Sequence, residues 1–255
     1  MRTRDILLAA LAIFVLWQAA AMTLQRDILP APTEVLVTFT QQIARDPFCQ
    51  AVMPGLACHF WVSTARVVTA LLLSVVVAVP LGLALGQSRL ANRILGPVIY
   101  LLYPIPKIVF LPIILLFLGI GEGSKVFIIF IILVFQVLVV VRDSASALRP
   151  ELLASVKSLG AGRRALFRYV YLPATVPAAI TALRISVGTA VAVLFFAETV
   201  ATRTGLGYYI ITDANSRLAY RELYAGVIAM SMLGLLLYVS LDRLERRLAP
   251  WMFTG

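Results

Sequence analysis

The sequence predicts an all-α, polytopic integral membrane protein built on six transmembrane helices. Three observations carry that expectation. Of 255 residues, 61% are hydrophobic and 13% charged, where soluble domains carry about a quarter charged residues. Apolar stretches of the roughly 20 residues needed to cross a hydrocarbon core recur along the chain. Basic residues gather in alternate connecting segments, as the positive-inside rule requires of a multi-pass protein. The net charge of +10 then has a membrane origin; a nucleic-acid footprint needs a soluble basic domain, and none is visible.

The first span is read at Ile6 to Leu24. Arg2, Arg4, the apolar run and Ala19-Ala20-Ala21 also resemble a secretory signal peptide, but the run exceeds the roughly 7–15 residues of such an h-region, which favours retention. The second span runs from Phe60 to Gly86. The third, Val98 to Ile120, contains Pro104, Pro106 and Pro112 and is expected to be a broken helix, because proline removes a backbone donor and crowds the preceding turn. Ser124 to Val141 makes the fourth, Ala178 to Val200 the fifth and Ala225 to Leu241 the sixth.

An even number of crossings returns both termini to one side. With the termini cytoplasmic, the inner segments carry Arg2, Arg4, Arg89, Arg93, Arg142, Arg149, Lys157, Arg163, Arg164, Arg168, Arg243, Arg246 and Arg247. The outer segments carry about half as many, namely Arg26, Arg45, Lys125, Arg203, Arg217 and Arg221. The expected location is a membrane, with both termini cytoplasmic.

Cys49 and Cys58 both fall in the outer segment between the first two spans. A disulfide there would restrain a loop containing Pro47, Pro54 and Gly55; the other reading is two small buried side chains. No metal site is expected, since two cysteines and His59 leave zinc short of a ligand. Gly119 to Lys125 lacks the Gly-Lys-Ser/Thr ending of a phosphate loop and reads, like Gly205-Leu206-Gly207, as a tight outer turn. Nothing surrounds His59 in a catalytic pattern, so no catalytic residue is assigned and no enzyme activity is expected. The chain itself is expected to bind no cofactor.

Glu151 to Pro177 interrupts the apolar chain with a basic, glycine-punctuated segment. Leu152, Val156 and Leu159 recur at helical spacing, so a short helix is expected to bury that stripe and show Lys157 and Ser158. Gly160-Ala161-Gly162 ends it. Arg163 to Val170 restarts a helix, and Pro173 with Pro177 is expected to steer the chain back into the membrane. The result is a helix-turn-helix elbow. A basic helix resting on anionic lipid is the plainer reading of Arg163, Arg164 and Arg168, yet it leaves the glycine turn unexplained.

Intramembrane charges are the other candidates, since each costs at least ~2.5 kcal/mol at a helix centre if unpaired. Lys107 follows the Pro104–Pro106 break and either faces a translocation pathway or snorkels to the interface. Arg184 is read as snorkelling. Glu198 and Arg66 lie toward the outer side, either paired or reaching water, and Gln136 is a neutral candidate for packing or solute contact. Lys107, Gln136 and Glu198 are the pathway candidates.

The elbow resembles the cytoplasmic signature loop of ABC importer permeases: Glu-Ala-Ala, three residues, Gly, nine residues, Ile-x-Leu-Pro. Gly160 and Val170-Tyr171-Leu172-Pro173 hold that spacing, while Ala154-Ser155-Val156 occupies the Glu-Ala-Ala positions and removes the acidic residue. Glu151, one turn earlier, is the candidate substitute. Further stretches are similar, in order, to permeases of the nitrate, sulfonate, taurine and bicarbonate group. They are Leu29-Pro30-Ala31-Pro32-Thr33-Glu34-Val35, Tyr103-Pro104-Ile105-Pro106, Leu111-Pro112, Phe117 to Glu122, Ala197-Glu198-Thr199 and Gly205-Leu206-Gly207-Tyr208.

The resemblance implies a type I ABC importer permease core over 60–248 with its coupling elbow at 151–173. An N-terminal helix and outer loop over 1–59 precede the core, and a cytoplasmic tail over 249–255 follows it. It further implies a homodimer, a partner ATPase pair carrying ATP and Mg, and an extracytoplasmic solute-binding protein, all in a lipid membrane and without nucleic acid. Glu151, Ala154, Lys157, Gly160, Arg163 and Arg164 would meet the ATPase. The function implied is ATP-driven import of a small anionic or polar solute by alternating access. An ion-coupled secondary transporter is the rival, weakened because Lys107 is the one charge placed near the midplane.

Overall fold

The computed structural model describes residues 3–45, 54–200 and 202–252, and its regular elements are helical throughout. In chain order these are α1 (Thr3–Leu24), α2 (Pro32–Arg45), α3 (Leu56–Gln87), α4 (Arg89–Leu102), α5 (Leu111–Leu118), α6 (Glu122–Ser146), α7 (Pro150–Ser158), α8 (Arg163–Leu166), α9 (Leu172–Thr199), α10 (Leu206–Tyr208) and α11 (Tyr220–Leu248). A 3-10 turn, Lys107–Phe110, precedes α5, and π-helical turns at Phe167–Tyr171 and Tyr209–Ala214 follow α8 and α10.

Four helical stretches among the described residues are long and apolar enough to span a membrane: Leu56–Gln87, Glu122–Ser146, Arg163–Thr199 and Tyr220–Leu248. The pair Arg89–Leu102 and Lys107–Leu118, bent by 80°, makes a fifth if taken as one span. The apolar run of α1, Ile6–Leu24, is roughly 28 Å long at 1.5 Å per residue. The break at the prolines is where the sequence places it. The broken span starts earlier than expected, because the Ser88 hydroxyl accepts from the Ala91 amide and caps α4 well before the apolar run.

The chain forms two compact units. The first combines Met1–Thr64 with Glu198–Met232. Within it, Trp17 packs on Tyr224 with ring centroids 5.6 Å apart, Gln42 donates to Glu222 at 3.1 Å, and Arg221 pairs with Glu34 at 3.1 Å. Gly226 lets α11 approach Tyr209 and Ile210 closely; a Cβ there would meet the Ile210 side chain at 2.7 Å.

The second unit combines Ala65–Ala197 with Leu233–Gly255. Its core is the buried stripe of α6, Ile128, Ile129, Leu133, Val137 and Val141, at the three- and four-residue spacing of a helix face. Gly82 and Gly86 bring α3 against that helix. A Cβ on Gly82 would lie 2.9 Å from the Val141 Cβ, and one on Gly86 would lie 2.5 Å from the Ala145 Cβ. This is the small-xxx-small contact by which membrane helices pack closely.

Three expectations are corrected here. The helix expected over Arg163 to Val170 does not stop before the fifth span: the chain is helical from Arg163 to Thr199, through Pro173 and Pro177. The π turn just before Pro173 already interrupts the regular backbone ladder, so the proline's missing donor and its ring are accommodated there. Arg184 does not snorkel but bonds Asp242 at 2.7 Å and Glu245 at 3.0 Å on α11. The Leu152–Leu159 stripe of α7 is not buried by the chain; Leu159 is 86% exposed.

Candidate functional site

The elbow is built from two caps. Proline at the first position of α7 presents an already helical φ, and Glu151 in the first turn with Lys157 in the last complements the helix dipole. The helix then stops in a Schellman arrangement. The Gly160 amide donates to the Lys157 carbonyl at 2.9 Å and the Ala161 amide to the Val156 carbonyl at 3.4 Å. Gly160 has φ +82, the left-handed conformation that glycine adopts without steric cost. A Cβ there would meet nothing in the chain within 4 Å, so conformation, not crowding, selects glycine within this chain.

Gly162 caps α8, and Leu166 and Val170 are buried, fastening the second arm. Glu151, Ala154, Lys157, Gly160, Arg163 and Arg164 are all exposed on this one elbow. Glu151, Ala154 and Lys157 follow at three-residue intervals, which sets them along one side of α7. Glu151 therefore borders the position where the signature glutamate is replaced by alanine.

Two of the three pathway candidates are brought together. Lys107 and Gln136 line a cavity of about 330 Å³ with Tyr103, Pro104, Ile105, Pro106, Ile108, Ile132, Phe135, Thr189 and Val193. The Lys107 Nζ donates to the carbonyls of Leu102, Tyr103 and Ile105 at 2.9, 3.1 and 3.2 Å, and lies 4.4 Å from the Phe135 ring centroid. It thus caps the broken end of α4 and fixes the cation at the cavity wall. Gln136 Oε1 is buried there without a hydrogen-bond partner.

Glu198 lies elsewhere, in the first unit, with no exposed surface. Its carboxylate accepts from the Ser63 hydroxyl at 2.8 and 2.9 Å and from the Gly207 amide at 2.9 Å. The Leu206 amide donates to the Ser63 oxygen at 2.8 Å and the Gly205 amide to His59 Nδ1 at 3.0 Å. Three successive amides at the start of α10 are therefore satisfied by buried side chains, and Gly205, at φ +115, makes the turn into that helix. His59 and Ser63 are structural residues that sequence reasoning missed. Their signal was the four-residue spacing on one helix face, combined with the polar character of both in an apolar run.

Arg66, one expected partner of Glu198, donates to Glu122 at 2.5 Å. Cys58 is buried, while Cys49 lies outside the described residues. No group of three or more metal-ligating side chains occurs among the described residues. A second cavity, of about 800 Å³, belongs to the first unit; Glu34, Thr38, Gln41 and Gln42 of α2 line it with Arg26, Asp27, Arg221 and Glu222. In the same unit, burial raises the Tyr209 phenol above its ordinary pKa, with Glu222 and Asp213 adding to the effect.

Comparison with known proteins agrees with this architecture. Over 243 residues the chain is 31% identical to the taurine transport system permease protein of Escherichia coli strain K12, covering 95% of this chain and 87% of that protein. It is 28% identical to the nitrate import permease protein of a Synechocystis species, covering 95% and 88%. The fold matches the inward-facing methionine ABC transporter MetNI with a TM-score of 0.63 at 20% identity, over 74% of this chain and 93% of that one. Residues 78–254 match the family described as the binding-protein-dependent transport system inner membrane component. The chain belongs to that family and is a multi-pass transport permease.

Proposed function

We propose that this permease passes a small anionic or polar solute from an extracytoplasmic binding protein to the cytoplasm, powered by a separate ATPase pair that holds ATP and Mg. The single observation that carries the coupling reading is the elbow. Six exposed residues on and around the signature positions sit on a capped turn, and its apolar residues Leu152 and Leu159 find no cover within the chain. A partner that buries them gains apolar contact as well as the polar contacts of Lys157, Arg163 and Arg164. The 37-residue helical stretch Arg163–Thr199 joins this elbow directly to the membrane, so a displacement at Arg163 reaches the span without passing through a loop.

The taurine and nitrate relatives suggest the solute class, and they displace the ion-coupled carrier as the reading to test. Two copies of the chain would flank the pathway, with both termini and the elbow in the cytoplasm. Co-purification with the cognate ATPase and uptake that requires ATP are the expected outcomes. Gly160→Val is expected to weaken ATPase association about tenfold, since roughly 1–2 kcal/mol is the cost of a left-handed angle and about 1.4 kcal/mol is a factor of ten. Gly160→Asn, which tolerates that angle, should retain it. Uptake by the permease alone, driven by an ion gradient and indifferent to ATP, would overturn the reading.

A further inference from the structure

Two arginines of the spanning helices are paired with carboxylates, Arg66 with Glu122 and Arg184 with Asp242 and Glu245. Lys107 differs: it meets carbonyl dipoles and an aromatic ring, and no carboxylate among the described residues. Carbonyls satisfy its three hydrogens but leave its formal charge unbalanced in a low-dielectric setting, where a counter-ion is most strongly attracted. Across the same cavity the Gln136 side chain has the complementary deficit, a buried acceptor with no donor. Gln136 lies near the middle of α6, and the cavity is bounded by the proline-broken span, the kind of irregular backbone that membranes tolerate where it lines a polar space.

Resting on the importer reading, we propose that this cavity is a transient subsite for a small zwitterion with an anionic end and an ammonium N–H donor, of the aminoalkyl sulfonate type. The anionic end faces Lys107, and the ammonium end donates to Gln136 Oε1, away from the lysine. Size agrees: about 330 Å³ corresponds to roughly ten water volumes at ~30 Å³ each, room for a solute of several heavy atoms with residual water. Tyr103 and Phe135 give the methylene portion an apolar wall. A bare planar anion such as nitrate fills little of this volume and offers Gln136 nothing.

The test works whichever solute the permease carries. In the assembled permease–ATPase complex, Gln136→Cys is labelled with the anionic reagent 2-sulfonatoethyl methanethiosulfonate and, separately, with its trimethylammonium analogue; Ser216→Cys, exposed and away from the elbow, and the unsubstituted chain serve as references. The anionic-to-cationic rate ratio should be about tenfold higher at Gln136→Cys than at Ser216→Cys, as one nearby unit charge in a low-dielectric site requires. Millimolar taurine should slow that labelling and equal nitrate should not. Thr189→Cys, on the facing wall, repeats the measurement where Gln136→Cys disturbs assembly. No anionic preference at either position, or equal protection by the two probes, overturns the subsite. Failure of ATP-driven uptake by the unsubstituted complex overturns the importer reading instead, and the labelling result stands apart from it.

Discussion

Glu198 shows how a single intramembrane charge is used here. A buried carboxylate is costly unless its oxygens are satisfied, and those of Glu198 receive the Ser63 hydroxyl and the Gly207 amide at the start of a helical segment, where negative charge is favoured. Glu198→Ala leaves the Gly207 amide without its acceptor and removes one partner of Ser63. The expected loss is about 2–4 kcal/mol, from one or two buried groups at about 1–3 kcal/mol each, read as a lower thermal unfolding midpoint in detergent. Ser63→Ala should cost a similar amount, because the carboxylate keeps the Gly207 amide but the Leu206 amide loses its acceptor. Equal stability of Glu198→Ala and the unsubstituted chain would show that the carboxylate does not hold this turn. From sequence, Glu198 could be recognised as an unusual charge near a span end. Its partners could not be, because Ser63 and Gly207 are 135 and 9 residues away and neither is charged.

Helices packed through glycine set the next scale. Gly82-Leu83-Ala84-Leu85-Gly86 gives α3 a small-residue face, and Gly86 comes so near α6 that a Cβ would lie 2.5 Å from Ala145 and 2.7 Å from the Arg142 carbonyl. The carbonyl cannot rotate away as a side chain can, so relief requires the two helices to separate. Gly86→Val is expected to destabilise by about 1–3 kcal/mol or more, the usual cost of overpacking, with reduced yield of monodisperse protein on size exclusion. Gly123→Ala is the control, since nothing lies within 4 Å of a Cβ there.

Spans and elbow were legible at this scale because their signals are local: apolar length for α3, α6 and α11, and a glycine stop for α7. The fate of Pro173 was not. Proline reads as a helix breaker, yet a widened turn over Phe167–Tyr171 lets the helix continue through it, and no residue in that turn announces the change of register. The cavity was legible only as separate candidates, Lys107 and Gln136, whose meeting depends on the 80° bend that brings Lys107 back toward α6.

Orientation of the whole chain turns on α1. With the broken pair counted once, four further helical stretches among the described residues are long and apolar enough to cross, so α1 decides whether the termini share a side. Its apolar run, Ile6–Leu24, reaches roughly 28 Å against a hydrocarbon core of about 30 Å. Such a deficit costs only fractions of a kcal/mol per Å and is met by local thinning or by flanking side chains reaching outward, as Arg4 and Arg26 can at either end. Spanning is therefore the expected state, and it puts the N-terminus on the same side as Lys157, Arg163 and Arg164. Reporter tags at the N-terminus and next to Lys157 should both be shielded in spheroplasts and both accessible in inverted vesicles. A tag that is accessible at the N-terminus in spheroplasts while the Lys157 tag stays shielded would mean that α1 lies on the outer surface. Five crossings would then put the elbow and the C-terminus in the cytoplasm and the N-terminus outside.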